Sequence, residues 1–217
     1  MKLTARLCNE VRDFLRAEVV VMDEYEKALA ALEEHRGSDY YNRKTREAES
    51  ERDEGLARAR ARASEKIDPL LNVLERHLDD VPLVPPTDEQ LRALSLLAMK
   101  KTITADELRG AARLCADCPA ALELLRETAG ERGLPLSLPA AKMLSPQAAR
   151  EHLQSARRSL ELLIYEPKNA CWSPEFLLAD NDDRLLARLC GVWADRSGAL
   201  NDDYTSALRR ALDGNAE

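Results

Sequence analysis

The chain has 217 residues, of which 45% are hydrophobic, 33% are charged and 4% are aromatic. Its formal net charge of −7, with basic residues interspersed among acids, argues against a nucleic-acid partner. The five cysteines are odd in number and widely scattered, which excludes a secreted disulfide framework and predicts reduced thiols.

The start of the chain shows no apolar leader, because charged residues recur from Lys2 through Asp13. The longest uncharged stretch, residues 133–141, contains two prolines and falls well short of the roughly 20 apolar residues that cross a bilayer. We therefore expect a cytoplasmic protein that has no membrane partner.

The first predicted helix spans residues 3–35 and carries a seven-residue apolar repeat, as in a coiled coil. Glu18 interrupts this seam once. A second stripe one position along widens the apolar face, so we expect the helix to meet more than one neighbour. The seam residues that we predict to make interactions are Leu7, Val11, Phe14, Val21, Tyr25 and Leu32.

A second long helix is predicted at residues 41–79. Its first half mixes acidic and basic side chains, which is typical of a solvated helix, and its second half carries an apolar stripe. Pro69 lies within that stripe and predicts a kink or a restart. Because Gly37 and polar neighbours separate the two helices, we predict a long antiparallel, coiled-coil-like helical hairpin over residues 1–80.

The segment 81–87 is rich in proline and predicts an extended linker and a domain boundary. Residues 88–217 then predict a bundle of shorter helices, with a three-helix unit at 88–133 and further helices at 145–214. No strand pattern is visible, so the predicted fold class is all-α. The predicted core of the three-helix unit comprises Leu91, Leu94, Leu97, Ile103, Leu108, Leu114, Leu122 and Leu125.

Residues 87–133 contain three helix-start motifs, each followed by leucines. Thr87-x-x-Gln90 and Thr104-x-x-Glu107 match the capping box, and Pro119 suits a first helical position. This pattern resembles small all-helical proteins of phage and prophage structural gene modules, which have no known activity. The resemblance implies a structural role and assigns no functional residue.

The sharpest local motif is the C-x-x-C pair of Cys115 and Cys118. Such a pair can be a redox couple or half of a zinc site. A redox couple of this kind follows a strand, and a zinc site needs two further ligands. The neighbouring sequence supplies neither the strand nor the ligands. We predict a corner between two helices with a buried thiol, and a redox or metal role for the pair is the alternative.

No pattern of a common catalytic or cofactor centre is present. None of the three histidines follows a glutamate by three positions, so the helical di-iron pair is absent, and phosphate-binding glycine loops are missing. The acidic run 180–183 lacks EF-hand spacing and predicts acids at a helix N-terminus. We predict no catalytic residue, no cofactor and no metal.

Two functions fit these observations better than an enzyme with an unreadable site. The first is a non-enzymatic structural or assembly protein of phage or prophage type, whose hairpin self-associates or binds other helices. The alternative is an intracellular binding module, an adaptor or regulator, that holds a partner in a groove of the 88–133 unit. Both predict protein partners, and the first predicts a homo-oligomer.

Overall fold

The computed structural model describes residues 2–79, 85–116, 118–134, 144, 146–192 and 202–213. Every regular element in these ranges is helical, which confirms the all-α class. Short 3₁₀ turns follow the first and sixth α-helices. Within the described ranges the α-helices are α1 Leu3–Leu32, α2 Asp39–Asp79, α3 Asp88–Met99, α4 Ala105–Leu114, α5 Pro119–Glu131, α6 Pro146–Tyr165, α7 Pro174–Leu178, α8 Asp182–Leu189 and α9 Asp202–Asp213.

The chain forms two compact units. The first comprises Met1–Val73 and Arg157–Leu185, and the second comprises Leu74–Ala156 and Leu186–Glu217. Each unit therefore combines segments from both sides of the proline-rich segment. Most of that segment lies outside the described residues, and the linker itself stays a prediction. None of the described helices is long and apolar enough to cross a bilayer.

The predicted hairpin of α1 and α2 is confirmed. Gly37 lies in the turn with φ +85°, a backbone conformation that favours glycine. α2 begins two residues earlier than predicted, because the Ser38 hydroxyl accepts a hydrogen bond from the backbone N–H of Tyr41 at 3.1 Å. Pro69 lies within α2, which continues to Asp79 without a restart.

α1 meets more than one neighbour, as its wide apolar stripe predicts. The short helix α7 packs against it. Arg12 of α1 also donates hydrogen bonds to the Asp182 carboxylate at 2.5 Å and to the Asp180 carbonyl at 3.1 Å. The core of the first unit contains Leu7, Val11, Leu15, Ile67, Leu71, Leu163, Leu177 and Leu185.

In the second unit, α3, α4 and α5 pack pairwise. Both capping boxes are present, at Thr87 and at Thr104. In the second of them, hydrogen bonds from the Lys100 and Thr104 side chains and the Thr104 backbone lower the pKa of Glu107 to about 2.

Two residues of the predicted core are not buried. Leu91 is 43% exposed and Leu114 is half-buried, whereas the other six predicted residues are in the core. The reason is that Gln90 takes the inward position: it is 4% exposed and its amide donates to the Leu114 carbonyl at 3.0 Å. One residue on a helix turns the side chain by about 100°, so Leu91 faces away from the core.

α8, the first helix of the final helical region, ends earlier than the sequence predicts. The sequence predicts a last helical region over residues 182–213 that is broken near Ser197, but α8 ends at Leu189. Gly191, with φ +66°, follows, and the backbone N–H of Val192 donates to the Ala187 carbonyl at 2.9 Å. This is the Schellman arrangement of a glycine helix terminator. The predicted break near Ser197 lies outside the described residues, as does most of residues 133–144, where the two prolines of the uncharged stretch predict a loop.

Candidate interaction surface

A groove of about 470 Å³ runs between α1 and α2 in the first unit. We call it the hairpin groove. Its α1 wall and its α2 wall each present charged side chains above a floor of smaller apolar ones. The lining residues are Glu10, Asp13, Phe14, Arg16, Ala17, Val20, Val21, Gly55, Arg58, Ala59, Arg62, Ala63 and Lys66.

The floor of the hairpin groove is shallow because the two helices approach each other closely. A Cβ atom on Gly55 would lie 3.0 Å from Cγ2 of Val21, so only glycine fits that position without a shift. Ala59 and Ala63 continue the floor and are themselves buried. Small residues in the floor leave room for the side chains of a third helix to reach the hairpin.

A second depression, of about 270 Å³, extends the hairpin groove toward the turn. It shares Val21, Gly55 and Arg58 with the first and reaches Ala28 on α1 and Ala48 on α2. From residue 10 to residue 28 a helix rises about 27 Å, at 1.5 Å per residue. The extended hairpin groove is thus long enough to hold about five turns of another helix.

The two rims of the extended hairpin groove carry opposite charge. The α1 rim has three acidic side chains and one basic, and the α2 rim has four basic side chains and one acidic. The α1 rim comprises Glu10, Asp13, Arg16 and Glu24, and the α2 rim comprises Glu51, Arg52, Arg58, Arg62 and Lys66.

Some of these charges are satisfied within the chain and others are not. Lys66 contacts Glu10 across the groove at 2.9 Å, and this hydrogen bond raises the pKa of Lys66. Arg16 contacts Asp13 on the same helix at 3.1 Å. In the described part of the chain, Arg58 and Arg62 make no ion pair and no hydrogen bond, so the α2 rim keeps cationic groups available to a partner.

The six predicted seam residues divide into two sets. Leu7 and Val11 are fully buried and Phe14 is 5% exposed, so these three belong to the core of the first unit. Val21, Tyr25 and Leu32 are half-buried. The structure brings three of the six to the extended hairpin groove, namely Phe14, Val21 and Tyr25. An interaction role for the six stays a prediction.

Glu18, which interrupts the seam, is buried with 8% of its surface exposed. Burial raises the pKa of its carboxyl, Arg60 opposes this shift and Glu175 adds to it. Among the described residues its Oε2 atom has no hydrogen-bond partner. In the sequence Glu18 is visible only as a break in the apolar repeat. Its burial could not be predicted, because periodicity does not show that a third helix covers this side of α1.

Cys115 and Cys118 lie in the core of the three-helix unit. The backbone N–H of Cys118 donates to the Cys115 carbonyl at 3.0 Å, and Cys118 precedes the first residue of α5. The pair thus forms the predicted corner, with both thiols buried rather than one. Among the described residues no three His, Cys, Asp or Glu side chains are placed to hold a metal ion. The redox or metal alternative for the pair stays a prediction.

The histidines take part in local contacts. Nδ1 of His152 lies 3.0 Å from the Cys190 carbonyl oxygen. The His35 ring meets Tyr40 edge to face near the hairpin turn, with ring centroids 5.2 Å apart. These contacts place neither residue beside a nucleophile or a metal-ligand cluster.

A second exposed apolar surface lies on α3. Leu91 is 43% exposed, Leu96 is 59% exposed and Met99 is 73% exposed. We call these three residues the α3 face. Exposed apolar side chains of this size are ordinary when they are isolated, but three on one short helix are typical of a surface that meets another protein.

Comparison with known proteins does not choose between these surfaces. The chain matches no protein-family model, no curated protein and no solved structure. The functional argument therefore depends on the chemistry of the hairpin groove and of the α3 face.

Proposed function

We propose that the protein is a non-enzymatic structural or assembly protein of the cytoplasm that acts through helix–helix contacts of its hairpin. The hairpin groove carries this proposal. It has an apolar floor, charged rims and a length suited to another helix. Val20 on its α1 wall is 54% exposed, although valine is among the residues most often buried.

The segment beyond the core gives a reason for a partner to bind there. Of residues 19–58, which we call the distal segment, only Ala48 is buried. Two helices that touch only each other bury little apolar surface and gain little stability from it. A helix docked in the groove would cover Val20 and complete the burial of Val21 and Tyr25. Docking would therefore stabilise the distal segment.

The proposal also covers the origin of the protein and the class of partner that it binds. The pattern of residues 87–133 supports an origin in a phage or prophage structural module. The net charge of −7 supports protein partners over nucleic acid. The proposed partners are proteins and do not include a membrane.

The test compares two exposed valines in the full-length protein. Val20 lines the hairpin groove, whereas Val73 is 44% exposed and lies outside it. A tagged wild-type chain, a Val20→Glu chain and a Val73→Glu chain are purified from cells that also express a second, differently tagged copy. Co-purifying proteins are then quantified by mass spectrometry.

We expect at least one protein, whether the second copy or a different chain, to be recovered with the wild-type and Val73→Glu chains. Its recovery falls about tenfold with Val20→Glu, because a buried carboxylate opposes apolar docking. If no protein depends on Val20 in this way, the proposal is wrong.

The second candidate is an adaptor or regulator that uses the 88–133 unit, and the exposed α3 face favours it. The same experiment with Leu96→Glu tests it in the full-length chain. A partner lost with Leu96→Glu and retained with Val20→Glu would assign the interaction to the α3 face. A partner with the opposite dependence supports the hairpin groove.

A further inference from the structure

We propose that the occupant of the hairpin groove is a second copy of this chain, related to the first by a two-fold axis that runs along the hairpin. The proposal rests on the function proposed above, since it names the partner of the same groove. The pairing makes an antiparallel four-helix arrangement in which α1 of each copy lies over α2 of the other.

The charges of the two rims support this partner. The α1 rim has a net charge of −2 and the α2 rim a net charge of +3, from the side chains named above. A two-fold axis along the hairpin places each α1 rim opposite the α2 rim of the other copy, so unlike charges face each other. An axis across the hairpin would place α2 over α2 and bring the cationic rims together, which is unfavourable.

The register follows from contacts within one chain. Glu10 lies level with Lys66, and Val21 lies level with Gly55. A two-fold axis parallel to the helices keeps each residue at the same position along that axis in both copies. Asp13 of one copy therefore faces the region of Arg62 in the other. Within the described part of the chain Arg62 makes no ion pair, and Asp13 pairs with Arg16, which is itself exposed, so Asp13 can exchange this partner for Arg62 of the other copy.

The apolar floor fits the same arrangement. The two grooves would face each other at the level of Ala17 and Ala59, where the lining side chains are small. Val20 of each copy would then insert beside the partner's Gly55 region. Close approach of backbones at small residues increases the number of van der Waals contacts between the helices.

The test is a charge exchange between two variants of the full-length chain. Asp13→Lys puts a cation in place of an anion on the α1 rim, and Arg62→Glu puts an anion in place of a cation on the α2 rim. Each variant alone places like charges opposite each other at both symmetry-related positions of its homodimer. When the two variants are mixed, each altered residue faces an opposite charge. Asp23→Lys, an exposed change on α1 outside the groove lining, is the matched control.

Sedimentation equilibrium in reducing buffer measures the dimer dissociation constant of each sample. We expect a wild-type dimer and an Asp23→Lys dimer of similar affinity, and about tenfold weaker association for each groove variant alone. The mixed sample should recover to within about threefold of wild type, and added salt should reduce these differences.

Three outcomes would overturn the proposal: a wild-type chain that is monomeric at millimolar concentration, single variants that dimerise as well as wild type, or a mixture no tighter than its components. These failures differ from a failure of the proposed function. If the second copy fails these tests but a different chain depends on Val20, the groove is an assembly site for that other chain. If nothing depends on Val20, both proposals are wrong.

Discussion

In the proximal part of the hairpin, residues 3–18 of α1 and 59–73 of α2, the apolar positions face both the partner helix and elements from the last third of the chain. Leu7 and Leu15 there have no exposed surface. In the distal segment the same helices touch each other without such cover, and only Ala48 is buried. The apolar repeat runs through both parts, so the repeat alone does not determine burial.

The difference shows what a periodic pattern can and cannot state. A seven-residue repeat identifies the side of a helix that meets a neighbour. Whether those residues are fully buried depends on how many layers cover that side, which is a property of the tertiary structure. The comparison is therefore best tested with identical substitutions in the two parts.

The largest expected effect contrasts Leu7→Ala with Leu32→Ala. Leu7 is fully buried, so its truncation should lower the free energy of unfolding by about 2–5 kcal/mol through lost burial and a residual cavity. Leu32 occupies the same seam but is half-buried, and its truncation should cost less than about 1 kcal/mol. Urea denaturation followed by circular dichroism measures both. Equal losses would contradict the distinction between the proximal part and the distal segment.

The next effect contrasts two ion pairs of α1. Arg12 has 13% of its side chain exposed and contacts Asp182 at 2.5 Å, 170 positions away. Arg12→Ala removes a charged donor from a partly buried site, and we expect a loss of about 1.5–3 kcal/mol. Lys27 is 74% exposed in its pair with Asp23, so Lys27→Ala should leave the free energy of unfolding nearly unchanged.

Denaturation of both variants at low and at moderate salt provides the measurement. Because screening weakens exposed pairs more than partly buried ones, the loss in Arg12→Ala should persist when salt is added. A loss for Lys27→Ala as large as that for Arg12→Ala would show that the distal segment is held as firmly as the proximal part.

Much of the fold could be predicted because local signals determine it. The two capping boxes and Pro119 mark their helices, and glycine at position 37 marks the hairpin turn. The errors have local causes as well. The apolar pattern predicts Leu91 in the core because leucine is more apolar than glutamine, yet the inward Gln90 satisfies a backbone carbonyl there.

The candidate site was only partly predictable. The seam that the sequence predicts includes Phe14, Val21 and Tyr25, and all three line the extended hairpin groove. The pairing of Arg12 with Asp182 could not be found, since no sequence rule connects residues 170 positions apart. Likewise, the opposite charges of the two rims become visible only once α1 and α2 are aligned with each other.

A smaller effect contrasts two helical glycines. Gly55→Ala places a Cβ atom 3.0 Å from a Val21 methyl group, so the strain of overpacking should outweigh the helix propensity of alanine. We expect a net loss of about 1 kcal/mol. Gly110, within α4, has nothing within 4 Å of such a Cβ atom, and Gly110→Ala should gain about 0.5–1 kcal/mol.

Thermal denaturation of both glycine variants measures this contrast, and a double variant assigns its cause. If the loss in Gly55→Ala comes from Val21, adding Val21→Ala should recover most of it, as a non-additive pair. A Gly55→Ala chain more stable than wild type would mean that the helices of the distal segment move apart freely, and that the close approach there is not enforced by packing.

The smallest effect is at Glu18, where the proximal part meets the distal segment. Its pKa is raised by burial, so the folded chain holds the Glu18 proton more tightly than the unfolded chain does. The contribution of Glu18 to stability is therefore greatest below its unfolded pKa of about 4.3, and it declines as the pH rises through the folded pKa.

Glu18→Gln does not titrate, so it should be more stable than wild type at neutral pH, by up to about 1 kcal/mol. Urea denaturation from pH 3.5 to pH 7.5 should show this advantage shrinking toward acid pH. An advantage for Glu18→Gln that is independent of pH would mean that the amide stabilises the site by its hydrogen bonds, and that the buried carboxylate carries no penalty from its charge.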